Sequence, residues 1–164
     1  MKKSVILTIL IIYILAIVVV GFIGIALRIY DEKKYVESIE CLTENYVSGA
    51  VEGTKCDGYI DVTYKKNTDN LVVIKCRALP ADATNTKLKL SVDKEKGYDV
   101  DNPPEDTSNY EFWYRDNGDG TWTINILKAK SQQVTVQPTD RAGVKLVILI
   151  EVKQSGGGIV PPKA

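Results

Sequence analysis

The sequence contains no histidine, and cysteine, phenylalanine and tryptophan are scarce, with 3, 2 and 2 copies among 164 residues. Without histidine the chain lacks the commonest general base and the commonest protein ligand of zinc. A glycine-rich phosphate loop and the Gly-x-Ser-x-Gly motif of many hydrolases are also missing. These absences favour a protein that is not an enzyme and that needs no cofactor.

Acidic residues are missing before Asp31, although the whole chain has 21 acidic and 21 basic residues. The resulting net charge of zero disfavours a dedicated nucleic-acid binder, which usually carries an excess of lysine and arginine. The first thirty residues therefore differ in kind from the rest, which holds every acidic side chain.

Residues 4–27 form an uncharged stretch of 24 residues, rich in isoleucine, valine and leucine. A helix of that length spans roughly 36 Å, enough to cross a hydrocarbon core of about 30 Å. We therefore predict a single transmembrane anchor over residues 4–27, with the lipid bilayer as its partner. A cleaved signal peptide is the alternative, and Gly24-Ile-Ala26 offers a small-x-small cleavage site for it.

The orientation of this span is not decided by its flanking charges. Lys2 and Lys3 lie on one side, and Arg28, Lys33 and Lys34 lie on the other. Because the amino-terminal side has no room for a domain, everything that folds must lie beyond residue 27. We expect that side to be extracellular or periplasmic, on the basis of the domain type described below.

Residues 31–48 show an apolar pattern at steps of three and four residues. Val36, Ile39, Leu42 and Tyr46 form the stripe, acidic residues lie between them, and Gly49 follows. This spacing predicts an amphipathic helix next to the membrane, a stalk that continues the anchor. The stripe is either packed on the protein's own domain or is an interaction stripe that pairs with another protein.

From residue 57 onward the apolar pattern alternates in steps of two. Seven strands are predicted: Tyr59–Tyr64, Leu71–Ala78, Leu88–Val92, Tyr110–Tyr114, Thr121–Leu127, Val134–Val136 and Val144–Val152. Asp116-Asn-Gly-Asp-Gly120 is a strong hairpin signal between two of them. The pattern predicts an all-β antiparallel sandwich of the immunoglobulin type over residues 57–153, able to fold by itself, and a flexible tail over 154–164.

Two segments resemble the bacterial Ig-like domain, group 2. Residues 77–93 contain Pro80-Ala-Asp-Ala-Thr-Asn85 between two predicted strands, and residues 134–152 resemble the closing pair of strands around Gly143. The similarity covers residues 57–153, with Leu90 at the family's tryptophan position and a long insert at 94–109. The resemblance implies a surface or periplasmic module for adhesion, spacing or assembly, and it supplies no catalytic residues.

The three cysteines, Cys41, Cys56 and Cys76, have spacings that match no zinc or redox motif. Outside the cytoplasm one disulfide and one free thiol are expected. Folding residues 59–64 back on residues 71–76 would place Cys56 near Cys76, so we favour a disulfide between these two. A Cys41–Cys56 disulfide and three free thiols remain as alternatives.

Two acidic segments, the loop 116–120 and the insert 94–109, are candidate calcium sites, and the sequence disfavours both. In the loop 116–120, Arg115 stands where the first aspartate of a calcium loop would be, so a plain hairpin turn is predicted. The acidic insert at 94–109 is interpreted as a solvated loop. We therefore predict no metal site.

Aromatic residues cluster around the hairpin, among them Tyr110, Trp113, Tyr114 and Trp122. One face of each strand must be buried, so Phe112 or Trp113 is expected to fill the core together with Trp122. Aromatic side chains on the opposite face would instead form a binding surface.

These features together predict a membrane-anchored extracytoplasmic Ig-like module with a structural or interaction role. Its protein partner would be a second copy or another surface component. The alternative is a subunit of a pilin-like or other membrane-associated assembly, in which an apolar helix also leads into a β-domain. Prepilins carry a processing glycine before the apolar run, whereas Gly21-Phe22 lies inside it here.

Overall fold

The computed structural model describes residues 3–30, 33–140 and 143–154. The first element is the helix α1 (Lys3–Tyr30). Its segment Val5–Ile25 is 21 residues long with a mean hydropathy of 3.2, and it meets the length and composition needed to cross a membrane. The predicted apolar N-terminal helix is thus confirmed, and a signal sequence at this position would show the same features.

The described residues that follow α1 contain ten strands and no further helix. In chain order they are β1 (Ser38–Cys41), β2 (Tyr46–Ser48), β3 (Gly58–Tyr64), β4 (Leu71–Leu79), β5 (Leu88–Val92), β6 (Gly97–Asp99), β7 (Phe112–Asp116), β8 (Thr121–Ile126), β9 (Gln132–Pro138) and β10 (Leu146–Gln154). Seven of these ten strands coincide with the seven predicted from the alternating pattern, and β1, β2 and β6 are additional.

The ten strands form two sheets of five strands each. The first sheet has the order β1-β4-β8-β7-β6, and the second has the order β2-β3-β10-β9-β5. Two neighbouring pairs, β3 with β10 and β6 with β7, are parallel, so the sheets are mixed and not purely antiparallel as predicted. The predicted class, a mostly β two-sheet sandwich after one apolar helix, is confirmed.

The core lies between the two sheets because successive side chains of a strand point to opposite faces. Strand β4 alternates regularly, with Val72, Ile74, Cys76 and Ala78 buried. The other buried apolar side chains of the core cluster are Ile60, Phe112, Trp122, Ile124, Ile126, Val134, Val136, Leu146, Ile148 and Ile150. Both sheets contribute to this cluster, as a sandwich requires.

The predicted helical stalk over residues 31–48 is not present in the described residues 33–48. That segment contains β1 in the first sheet and β2 in the second, so residues 42–45 carry the chain from one sheet to the other. Val36 is fully buried, and the compact unit that contains the sandwich begins at Tyr35. The sandwich therefore includes residues before the predicted boundary at 57.

The expected hairpin between residues 59–64 and 71–76 is also absent. Strand β3 pairs with β2 and β10 in one sheet, whereas β4 pairs with β1 and β8 in the other. The polar segment 65–70 thus crosses between the sheets and does not form a tight turn within one sheet.

The predicted hairpin at 116–120 is confirmed by the antiparallel pairing of β7 with β8. Gly118 and Gly120 have φ angles of 78° and 80°, a left-handed conformation that glycine adopts without strain. The insert at 94–109 contributes β6, which the sequence did not predict. Of the predicted tail, Gln154 is the last residue of β10, and residues 155–164 lie outside the described residues.

Gly97 in β6 packs against the ring of Phe112, its partner on β7. A Cβ atom at Gly97 would overlap the buried Phe112 ring, whereas at the exposed Gly143 it would meet open space. We expect Gly97→Ala to destabilise the sandwich by about 1–3 kcal/mol, the usual cost of overpacking a core. Thermal unfolding followed by circular dichroism measures this, and Gly143→Ala is the matched control. Equal melting temperatures for the two variants would contradict the close packing at Gly97.

Glu111 precedes β7 and forms hydrogen bonds with two side chains at the start of β9 and just before it. Its carboxylate accepts hydrogen bonds from Lys130 Nζ at 2.6 Å and from Gln132 Nε2 at 2.8 Å. These hydrogen bonds hold the pKa of Glu111 below its usual value, with that to Lys130 contributing most. The carboxylate therefore stabilises the fold above its unfolded-state pKa and loses this effect as the pH falls through the folded-state pKa.

We expect Glu111→Gln to lower the free energy of unfolding by about 1 kcal/mol at pH 7, because the single amide oxygen can accept only one of the two hydrogen bonds and accepts it without a negative charge. The difference from the wild type should shrink as the pH falls through the lowered folded-state pKa of Glu111, where the wild-type carboxyl group becomes protonated. Denaturant titrations over a series of acidic pH values measure this, with the exposed Glu105→Gln as the control. A difference that persists at low pH would mean that packing, and not charge, is responsible.

Candidate functional site

Strand β1 places Cys41 directly opposite Cys76 on β4. Next to this pair, the amide of Leu42 donates a hydrogen bond to the carbonyl of Lys75 at 2.7 Å. Since hydrogen-bonded and non-hydrogen-bonded pairs alternate along an antiparallel ladder, Cys41 and Cys76 are a non-hydrogen-bonded pair. Both side chains point inward, with Cys76 buried and Cys41 half-buried against the core.

Tyr46 on β2 packs against Gly58 of β3, close in the chain to the third cysteine, Cys56. Its ring occupies the space that the missing side chain of Gly58 leaves free. Burial raises the pKa of the Tyr46 hydroxyl, and further contributions come from Cys41, Asp57, Cys76 and Cys56, in that order. All three cysteines therefore influence the acidity of this one hydroxyl group.

The two facing thiols differ strongly in acidity. A hydrogen bond from the Cys76 thiol stabilises the Cys41 thiolate and lowers the pKa of Cys41, and Thr43 contributes in the same direction against the effect of burial. The same hydrogen bond to Cys41, together with burial, raises the pKa of Cys76. The pair can thus hold one thiolate, on the half-exposed Cys41, next to one thiol that is kept protonated. Such a pair is suited to thiol–disulfide exchange.

The predicted disulfide between Cys56 and Cys76 is not formed in the structure, in which all three cysteines are thiols. The Sγ of Cys56 lies 3.1 Å from the hydroxyl oxygen of Thr54. The residue opposite Cys76 is Cys41, a neighbour that sequence reasoning missed because it placed Cys41 on a helix. The alternation of Ile39 and Cys41 with the polar Ser38 and Glu40 is typical of a strand. It extends over only four residues, which is too few to distinguish a strand from a helix.

The predicted interaction stripe does not lie on one exposed surface. Val36 is fully buried, and Ile39 and Tyr46 are half-buried against the core. Leu42 is the exception, with 40% of its surface exposed in the turn between β1 and β2. Most of the stripe therefore packs on the protein's own sandwich, the first of the two interpretations that its pattern allows.

The outer face of the first sheet carries apolar side chains that the core does not use. Leu71 and Val73 on β4 are 55% and 51% exposed. In the same face, Trp113 on β7 and Tyr98 on β6 are half-buried and lie in neighbouring positions of the ladder. We call Leu71, Val73, Tyr98 and Trp113 the outer patch. The solvated face of an antiparallel sheet is normally polar, so this composition is unusual.

Two arginines at the border of the outer patch form ion pairs with carboxylates. Arg77 Nε lies 2.6 Å from a carboxylate oxygen of Glu40, and Arg115 Nε lies 3.1 Å from one of Asp101. Each pair joins a residue of a strand to a neighbouring segment on the same side of the sheet. The border of the outer patch therefore combines both signs of charge.

The aromatic residues divide between the two faces as alternation requires. Phe112 and Trp122 are fully buried in the core, which agrees with one of the two predicted arrangements. Trp113 lies on the outer face, and Tyr98 makes an edge-to-face contact with Tyr110, with 5.1 Å between ring centroids. The aromatic cluster is thus partly core and partly surface.

The carboxylates of the two acidic segments accept hydrogen bonds from backbone amides of their own segment. Asp116 accepts a hydrogen bond from the Gly118 amide, and Asp119 accepts two from Thr121. In the insert, Asp99 and Asp106 likewise bind nearby amides. Among the described residues no group of three or more aspartate, glutamate or cysteine side chains is placed to hold a metal ion.

Comparisons with known proteins do not extend these observations. No protein-family model matches the chain, and no curated protein or solved structure matches it with significant similarity. The class that the structure supports is therefore a β-sandwich that follows a candidate membrane-spanning helix.

Proposed function

We propose that this protein is a membrane-anchored extracytoplasmic module with an Ig-like fold and a structural or interaction role. The helix α1 holds it in the bilayer, and the sandwich contacts a partner protein beyond the membrane. The apolar span Val5–Ile25 supports the anchor, and the similarity of residues 77–93 and 134–152 to Ig-like domains supports the kind of module.

The observation that carries the interaction role is the outer patch. More than half of the surface of Leu71 and of Val73 is exposed on a regular strand whose inward side chains fill the core. Leu71 and Val73 are next to each other on this face, and Asn125 of β8 lies between Leu71 and Trp113. Large apolar side chains exposed side by side are typical of a contact site, because water covers them at a free-energy cost. Trp113 adds a residue type that is enriched where proteins bind each other.

The border of the outer patch favours a protein over a nucleic acid as the partner. Its two arginines are paired with Glu40 and Asp101, and the exposed Lys75 interacts with the carboxylate of Asp119, so the positive charges are not gathered into the cluster that binding to phosphates requires. An apolar centre with a border of mixed charge resembles the core and rim of protein–protein interfaces.

The anchoring part of the proposal is tested by two measurements on cells that produce the full chain. Extraction of membranes with alkaline carbonate should leave the protein in the pellet, at the mass of the unprocessed chain. Protease added to intact cells or to spheroplasts should then digest the sandwich. Protection of the sandwich from added protease would refute the extracytoplasmic orientation, and a mass reduced by the first 26 residues would indicate a cleaved signal.

The interaction part is tested by placing a photo-crosslinking amino acid at Val73 in the full chain. The matched control is the same substitution at Val47, a valine of β2 in the second sheet that is 45% exposed. We expect a discrete crosslinked protein band from position 73 that is weak or absent from position 47 and is reduced by Leu71→Ser. Identical products from both positions would refute a role for the outer patch. A ladder at multiples of the chain's mass would instead support a pilin-like assembly.

A further inference from the structure

We propose that Cys41 and Cys76 form a reversible disulfide that ties the edge strand β1 to β4. The structure brings together two cysteines that are 35 positions apart in the chain, at the last pair of the β1–β4 ladder. This site goes beyond the proposed interaction role, and its chemistry does not depend on the partner protein.

The backbone geometry is suited to such a bond. In a non-hydrogen-bonded antiparallel pair the two Cα atoms are about 4.5 Å apart, and the side chains approach each other closely. A disulfide requires a Cα separation of about 4.4–6.8 Å, so the strands need little movement to accept it. Both side chains also face the same core, which brings the two sulfur atoms to one side of the sheet.

The two cysteines have separate roles in the exchange. Cys41 is partly exposed at the end of β1, where a reagent can reach it. Cys76 is 7% exposed and is therefore less accessible than Cys41. Cys41 is therefore the attacking residue, and Cys76 is the residue that resolves the mixed disulfide.

The oxidant is an external disulfide, either a small molecule such as glutathione disulfide or the disulfide of a thiol oxidoreductase. The Cys41 thiolate attacks one of its sulfur atoms, forms a mixed disulfide and releases one thiolate, which takes up a proton. Cys76 then loses its proton and attacks Cys41 Sγ, which forms the Cys41–Cys76 bond and releases the second thiol. Two electrons pass from the cysteines to the external disulfide, which is reduced to two thiols.

The position of the bond suggests what it does for the fold. Strand β1 is the first strand after α1 and pairs only with β4 within the described part of its sheet, so it is the strand most easily detached from that edge. A covalent bond to β4 keeps β1 in place when the chain is pulled from its N-terminal side. An extracytoplasmic location would favour the oxidised form, because disulfides persist there.

The bond can be tested on the full chain in detergent micelles. The purified, reduced protein is exposed to glutathione disulfide, its remaining thiols are blocked with N-ethylmaleimide, and it is digested with trypsin without reduction. Cleavage after Lys34, Lys55 and Lys75 places the three cysteines in separate peptides. We expect the peptide of Cys41 linked to that of Cys76, with two hydrogens lost, and Cys56 carrying the blocking group. A link from Cys56 to either other cysteine, or three blocked thiols, would overturn the proposal.

Variants test the consequence for stability. Oxidation should raise the melting temperature by about 10 °C in the wild type and in Cys56→Ser, because the bond restricts the unfolded chain. The same treatment should leave Cys41→Ser unchanged. A rise in Cys41→Ser equal to that of the wild type would overturn the proposal. The mass-spectrometric result on the wild type does not depend on whether any variant folds.

Discussion

Removal of residues 1–52 is expected to abolish cooperative folding of the sandwich, whereas removal of residues 1–34 should leave it intact. The shorter deletion ends where the compact unit begins, at Tyr35. The longer one removes an edge strand from each sheet together with the fully buried Val36. Loss of the buried surface of Val36, Ile39 and Tyr46 costs about 4–6 kcal/mol, which approaches the whole stability of an ordinary domain.

The two shortened chains can be compared by near-ultraviolet circular dichroism, thermal unfolding and dye binding to exposed apolar surface. The chain that begins at residue 53 should lack a cooperative transition and aggregate, because β3 and β4 then expose unpaired edges. Point variants in the full chain give a matched check. Val36→Asp should destabilise strongly, while Val47→Asp on an exposed position of β2 should have little effect. Equal melting of both shortened chains would refute the place of β1 and β2 in the fold.

Asn70→Asp is expected to lower the free energy of unfolding by about 3–5 kcal/mol at pH 7, the cost of an uncompensated buried charge. Asn70 is 7% exposed and organises the crossing between β3 and β4. Its Oδ1 accepts a hydrogen bond from the Lys65 amide, while its Nδ2 donates to the carbonyls of Lys65, Thr68 and Ile126. A carboxylate would place a negative oxygen against these carbonyl oxygens.

The pH dependence of this loss identifies its cause. Burial raises the pKa of the new carboxyl group above its unfolded value, so the deficit should be small at low pH and grow as the pH rises through the folded-state pKa. Denaturant titrations between about pH 4 and pH 8 measure this change. Asn109→Asp introduces the same group at an exposed loop position and should have little effect. Equal losses for the two variants would contradict the buried network at Asn70.

The local pattern of the chain was sufficient for the apolar helix and for the longer strands. An uncharged run such as residues 4–27 and an alternation such as Leu71–Ala78 each extend over enough residues to define one period. The hairpin at 116–120 could also be predicted, because its glycines adopt the left-handed conformation that the turn requires. The two buried aromatic residues Phe112 and Trp122 follow from the same alternation.

The segment 35–48 shows where such patterns fail. Its apolar residues at steps of three and four resemble a helical face, but they arise because two short strands in different sheets are joined by a turn. With only 4 and 3 residues, β1 and β2 are too short to show an alternation of their own. Pairing with β3 and β4 overrides the helical preference, since it gives each edge strand backbone hydrogen bonds along one side and packs Ile39 and Tyr46 against the core.

By itself the sequence determined that an apolar helix precedes a β-sandwich, because these properties depend on residues close together in the chain. Only the tertiary structure decided which strands are neighbours: β3 pairs with β10 and not with β4, and β1 pairs with β4. That choice places Cys41 opposite Cys76 and leaves Leu71 and Val73 on an outer face. Strand pairing is set by long-range hydrogen bonds and by how the strands together fill one shared core. The alternating pattern shows which face of a strand is buried, but it does not show which strand lies beside it.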